Sequence, residues 1–118
     1  MTTFTEGLHP CESLVSEANG ERSREAVIIA GNVTPCMVLG RVTASGDYVP
    51  LNPAASDGSE AAAGISYGAY DGSSADVSGV AFVRDCEHAA DIVDFGSANT
   101  AQIATATTQL AALGIILR

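Results

Sequence analysis

The sequence predicts a mainly β fold with one short C-terminal helix, and three observations predict it. Short β-branched or apolar runs recur between clusters of Gly, Asn, Asp and Ser, which is the punctuation of strands and turns. Only one stretch, near the C-terminus, carries apolar residues at helical spacing. The chain has 118 residues, 47% of them hydrophobic, which suffices for one core and no second one. Much of that fraction is alanine, and aromatics make up only 5% with no tryptophan. The large anchors are Phe4, Tyr48, Tyr67, Tyr70, Phe82 and Phe95. Alanine removes little surface from water, so the core is thin and burial against a partner subunit would suit it.

The first 25 residues stand apart, with five of the 14 acids, two of the five arginines and sparse apolar residues without strong period. They are expected to form an extended N-terminal arm (1–25), partly disordered until bound, with Asn19-Gly20 as a turn. Residues 26–118 are expected to form the single β-rich domain. Ala26–Ala30 is β-branched and predicts a strand that stops at Gly31-Asn32. Met37–Thr43 and Asp47–Leu51 flank Ala44-Ser45-Gly46 and predict a hairpin. Asn52–Glu60, with Pro53 and Asp57-Gly58, predicts a loop. Ala61–Tyr70 predicts a strand in which Gly64 and Gly68 mark a bulge or a close backbone approach. Asp71–Ser78 predicts a second loop. Val80–Arg84 predicts a strand, with Glu87–Val93 pairing against it. Ser97 or Asn99 can cap a helix whose apolar face is Ile103, Ala106, Thr107, Leu110 and Leu113. Gly114 predicts the left-handed stop, and Ile115–Leu117 a last short strand.

Charge excludes several functions. Fourteen acids against five arginines and no lysine give a formal net charge of −9. Nucleic-acid affinity rests on neutralising phosphates, so DNA or RNA is not expected as a partner, nor is an anionic membrane. No apolar run reaches the length of a bilayer span. The N-terminus has neither a basic n-region nor an apolar h-region, so a soluble protein made in the cytosol is expected. Cys11, Cys36 and Cys86 are odd in number and far apart, which predicts free thiols. Asn32-Val33-Thr34 is a glycosylation sequon without meaning unless the chain is exported.

Candidate chemistry is thin. Gly64-Ile65-Ser66-Tyr67-Gly68 matches the GxSxG nucleophile elbow, but loop-like residues follow it where that motif needs a helix. Asp85-Cys86-Glu87-His88 with Asp91 and Asp94 holds metal-ligand types, and on a strand Cys86 and His88 share a face. A closed zinc site wants four ligands, and no second Cys/His pair is near in sequence. Cys86 sits among acids, which would raise its pKa, the wrong sign for a nucleophile. No catalytic, cofactor-binding or metal residue is therefore assigned, and no cofactor is expected. Glu21–Glu25 is more commonly a solvated leader, and in the sharper reading a segment that adds a strand to a partner's sheet; spacing alone does not choose between them.

The residues resemble a family. Ser16-Glu17-Ala18-Asn19-Gly20-Glu21-Arg22-Ser23-Arg24-Glu25 is similar to the leader of lambda-type tailed-bacteriophage head decoration proteins. The resemblance continues through Val38–Pro53, Ala54–Ile65, Gly79–Asp85 and Leu110–Arg118, in the same order. Pro35-Cys36-Met37 departs from it, standing where similar proteins often carry small residues and glycine. The resemblance implies a small β-clip-like barrel, a homotrimer, and a capsid-cementing role on the outer surface of the expanded head, at three-fold and quasi-three-fold sites. The implied partners are the major capsid protein and further copies of the chain. By the same analogy the arm from about Thr5 to Glu25 is the clamp, with Leu8, Leu14, Val15, Ser16, Glu17, Asn19, Arg22 and Arg24 as its capsid-binding residues.

Two other classes stay in view. A small trimeric β-clip enzyme of the nucleotide-hydrolase kind would need Asp, Ser and Arg converging at a subunit interface. An exported adhesive domain would need a signal and would make the Asn32 sequon usable.

Overall fold

The computed structural model describes residues 6–20 and 22–118. The expected anchor Phe4, and Thr5 and Glu21 of the expected arm, lie outside the described residues. The elements are β1 (Leu14–Glu17), β2 (Arg24–Val33), β3 (Val38–Arg41), β4 (Tyr48–Pro50), β5 (Ala62–Ser66), β6 (Tyr70–Phe82), β7 (Cys86–His88), α1 (Thr100–Ala112) and β8 (Ile115–Leu117). Five of the strands close a barrel in the order β2-β4-β3-β5-β6, and β1-β7-β8 form a small separate sheet. The mainly β fold with one short helix near the C-terminus is what the chain adopts.

β2 starts two residues earlier than expected and runs through Gly31. Arg24 and Glu25 pair with Phe82 and Ala81, so the boundary drawn between residues 25 and 26 falls inside a strand. Period two then sends Val27 and Ile29 inward and leaves Ile28 exposed. The β3–β4 hairpin forms as expected, with Leu39 opposite Pro50 and Arg41 opposite Tyr48. Residues 52–60 are the expected loop.

The expected loop over Asp71–Ser78 is instead part of the long strand β6. Ile29 lies opposite Val77 and Gly31 opposite Gly72, so five residues of β6 span the interval that two residues of β2 span. That shift lets the polar stretch Ser73–Asp76 bulge into water while its ends stay paired. Gly72 makes it possible, because a Cβ there would lie 2.4 Å from the carbonyl oxygen of Ile29. Polar, small-residue composition hid a strand whose outer face is solvated.

Glu87–Val93 does not pair with β6. Asp85 adopts a left-handed conformation (φ 50°), a turn that aspartate tolerates better than most residues. The chain thereby leaves the barrel, and β7 pairs antiparallel with β1 and parallel with β8. In α1 the cap is Asn99: its side chain accepts from the Gln102 N–H, and the Gln102 side chain accepts from the Asn99 N–H. Only Ala106 and Leu110 of the expected face are buried, and Leu113 is exposed. Gly114 (φ 84°) ends the helix as expected, and a Cβ there would meet the Asp85 carboxylate at 2.7 Å.

Two apolar clusters result. One consists of barrel residues, including Val27, Ile29, Val33, Leu39 and Tyr48. The other joins barrel, helix and small sheet through Val38, Ile65, Phe82, Cys86, Leu110 and Ile115. Phe82 is wholly buried at the end of the β2–β6 ribbon, so it couples the two bodies. Phe82→Ala is expected to lower the free energy of unfolding by about 3–5 kcal/mol, as read by urea denaturation, since it empties a large site between elements. A near-native midpoint would show that the clusters do not depend on it.

Candidate functional site

The N-terminal segment is built into the body from Cys11 onward. The Cys11 N–H donates to the Tyr67 carbonyl at 2.8 Å, and turns close from His9 to Glu12 and from Cys11 to Leu14. Ser13, only 1% exposed, is held three ways. Its N–H donates to Cys36 Sγ at 3.3 Å, its carbonyl accepts from the Ala89 N–H at 2.7 Å, and its hydroxyl lies 2.7 Å from His88 Nδ1. β1 follows as an edge strand: among the described residues it pairs with β7 alone.

The residues singled out from the sequence sort along this edge. Leu8 is exposed ahead of β1, and Leu14 packs against the joining cluster. Val15 is 55% exposed. The Ser16 hydroxyl donates to Glu87 at 2.9 Å, and the Arg118 guanidinium donates to the same carboxylate at 2.6 Å, tying β1, β7 and the end of β8 together. These bonds, Arg118 first and Ser16 second, hold the Glu87 carboxyl below its ordinary range. Asn19 is exposed in the turn after β1. Arg22 pairs with Asp85 at 2.7 Å in an exposed contact that contributes little stability.

Arg24 and Glu17 are brought together. Arg24 Nη2 and Nε donate to the two oxygens of Glu17 at 2.7 and 3.0 Å, a planar fork on a carboxylate. The guanidinium lies 5.0 Å from the Tyr67 ring centre and 5.5 Å from that of Phe82. The hydrogen bonds that Arg24 donates to Glu17 raise its pKa further, against the opposing effect of burial. β1 is thus fastened to β2 by a half-buried ion pair laid over aromatic rings.

Cys86 and His88 share the buried face of β7, as strand alternation requires. Burial first, then Glu17 and Asp85, pushes the Cys86 thiol up to about 12, so desolvation leads the effect that the sequence assigned to acids. Among the described residues, no three His, Cys, Asp or Glu side chains converge to hold a metal ion. Ser66 is buried on β5, its hydroxyl donating to the Gly68 carbonyl at 2.7 Å, and no helix follows it. Gly64 is the close approach expected: a Cβ would stand 2.8 Å from the Phe82 carbonyl oxygen. Cys36, in the departing Pro35-Cys36-Met37 loop, adopts φ 65°, a conformation glycine takes without strain.

A second surface, lined by no residue of β1, lies against the barrel and the end of α1. A groove of about 740 Å³ is lined by Ile28, Arg41, Tyr48, Arg84 and Leu113, among others. Ile28 (45% exposed) and Leu113 (39% exposed) give it an apolar floor open to water. Arg41 lies 5.8 Å from the Tyr48 ring centre. The other four arginines each have a carboxylate within 4.0 Å, and Arg41 has none among the described residues. Sequence reasoning missed this groove because Ile28 fell in an apolar run whose outer face was not assigned, and Leu113 was read as part of the helix's apolar face. It also missed Ser13, which carries no local signal.

A family model described as bacteriophage lambda head decoration protein D matches residues 3–115, nearly the whole chain. Comparison with curated proteins gives no match.

Arg24→Lys keeps the charge and loses both the fork and the flat stack. It is expected to destabilise the protein by about 1–2 kcal/mol in urea denaturation. An unchanged midpoint would mean that the Glu17 contact does not hold β1.

Proposed function

The chain belongs to the bacteriophage lambda head decoration protein D family, and so to the structural proteins of the phage capsid. On that premise we propose that it binds the outer surface of the expanded head as a homotrimer at three-fold and quasi-three-fold sites. There it braces neighbouring copies of the major capsid protein against the pressure of packaged DNA. Assembly takes place in the host cytoplasm and involves no covalent step. The observation that carries this reading is the open edge of β1. A short strand fastened to its own sheet on one side and carrying exposed Val15 is a template for a capsid strand. Residues 1–25 act as the clamp, with Leu8, Val15 and Asn19 facing the partner and Leu14, Ser16, Glu17, Arg22 and Arg24 fixing the strand that receives it. The body from residue 26 to 118, barrel, helix and small sheet together, stands on the shell, and its net negative charge keeps it from nucleic acid.

The barrel groove supports self-association. Exposed Ile28 and Leu113 offer apolar area that a thin core lacks, and Arg41 is placed to take a carboxylate from a neighbouring copy. Contact between unlike patches, groove to acidic surface, closes a ring when the rotation allows.

Two outcomes follow. The full chain is expected to bind expanded heads but not immature ones and to raise their resistance to heat, whereas a chain lacking residues 1–25 loses that binding. Electron microscopy of heads with and without the protein reads this directly, and undiminished binding by the truncated chain would remove the clamp role. Ile28→Asp combined with Arg41→Glu is expected to shift sedimentation of concentrated protein towards monomer. A mixture unchanged by both substitutions would move the interface elsewhere.

A further inference from the structure

We infer that the buried Ser13–His88 couple is a protonation-sensitive latch, which holds β1 docked while His88 is neutral and loosens it when His88 takes a proton. This deepens the proposed role of the N-terminal segment and rests on that role only for its purpose, since docking is a property of the isolated chain.

His88 is the middle of the small sheet and is 0% exposed. Its carbonyl accepts from the Arg118 N–H at 2.8 Å, and its own residue stands opposite Leu14 of β1. Nδ1 lies 2.7 Å from the Ser13 hydroxyl, while Nε2 is buried with no hydrogen-bond partner among the described residues. A neutral imidazole presents one donor and one acceptor, so whichever tautomer Ser13 selects, the other nitrogen goes unmatched. An imidazolium would be worse, because both nitrogens would then be donors in an apolar site. The Phe82 ring packs edge-on against the imidazole with 4.9 Å between centres, which closes that side to water.

The charges around it do not rescue a cation. Glu17 of β1 favours the protonated form, but its two oxygens are already taken by Arg24 of β2. That guanidinium sits over the Phe82 ring which packs on His88. On β7 the Cys86 thiol shares the face and stays protonated, and Glu87 is engaged by Ser16 and by Arg118 beyond β8. Cys36 reaches Ser13 as an acceptor of its N–H. Burial outweighs Glu17 and lowers the imidazole from 6.5 to about 4. The direction of the linkage is therefore fixed. Between about pH 6.5 and pH 4 the undocked imidazole, hydrated, binds a proton that the docked one does not. Docking is at full strength above that window and weakens as pH falls through it.

Hydrogen exchange on the full-length protein, followed by NMR from pH 7 to pH 5 and expressed as protection relative to the unstructured chain, tests this. Protection at Val15–Ala18 is expected to fall by about twentyfold over that range, while Leu39 and Ile65 in the barrel hold theirs. His88→Phe, which keeps an aromatic ring beside Phe82 but has nothing to protonate, should flatten the response. Ser13→Ala, which leaves the imidazole in place, should lower β1 protection at pH 7 and retain the pH dependence. The inference is overturned if β1 protection is insensitive to pH, if the His88→Phe variant responds like the natural chain, or if barrel and β1 amides fall together. Failure of capsid binding with this pattern intact would instead remove the clamp role and leave the latch standing.

Discussion

The seam between β2 and β6 is the constraint on which the remaining structure depends. These strands stand at the two ends of the barrel order, so their pairing is what closes it. The same pairing sets Arg24 opposite Phe82 at the seam's end. From that one register position the rest follows. Phe82 fills the space between barrel, helix and small sheet, and Arg24 reaches over its ring to grip Glu17 of β1. A slip of one residue would exchange inner and outer faces along the whole ribbon, exposing Val27 and Ile29 and turning Ala26 and Ile28 inward. The Gly31–Gly72 shift lies at the far end, where extra polar residues can be absorbed without disturbing this register.

Cations are scarce, and their placement is selective. Of five arginines, four lie where the N-terminal segment, the β6–β7 turn and the C-terminus converge, in pairs with Glu17, Glu25, Asp85 and Glu87. The exposed pairs are individually weak and screened by salt. Their common effect is to cancel negative charge where three chain segments meet, so that the acid surplus falls on the loops and the outer face of β6. A uniformly acidic surface would repel its own copies. Gathering the arginines at one edge and leaving Arg41 unmatched in the groove gives the molecule two places where that repulsion is relieved.

Much of this was legible in the sequence wherever local chemistry and tertiary packing agree. Ala44-Ser45-Gly46 between apolar runs predicted a hairpin, and Asn99, one of two capping candidates beside Ser97, and Gly114 bounded a helix, because turns and caps are satisfied within a few residues. The resemblance through Val38–Pro53 and the C-terminal residues pointed to the family that the chain belongs to. Legibility failed where a partner strand decides the outcome. Asp71–Ser78 has the composition of a loop and is a strand because β2 lies beside it. Glu87 was assigned to pair with the nearest strand in sequence, whereas the left-handed Asp85 hands β7 to β1. The candidate site was half legible. Glu17 and Arg24 fell in a recognisable leader, but nothing local marks Ser13 as the residue that three elements hold, and the burial of His88 is set by Phe82 and β1 together.

A partner strand could meet β1 on its open edge or could take its place on β7, and the contacts already made decide between these. Addition to the edge breaks nothing and gains backbone hydrogen bonds, each worth about 0.5–1.5 kcal/mol net, together with cover for Val15. Replacement requires breaking the Glu17–Arg24 fork, the Ser16–Glu87 bond and the three bonds of Ser13, while leaving Phe82 and His88 to be covered anew. An incoming strand would have to supply a serine and a carboxylate in the same register to break even. Addition is therefore the less costly of the two while β1 is docked, and the contacts of the segment behind it keep that edge in one position. A strand of four residues cannot do this by its own pairing, which is why its anchors lie in the side chains of Ser13, Glu17 and Arg24.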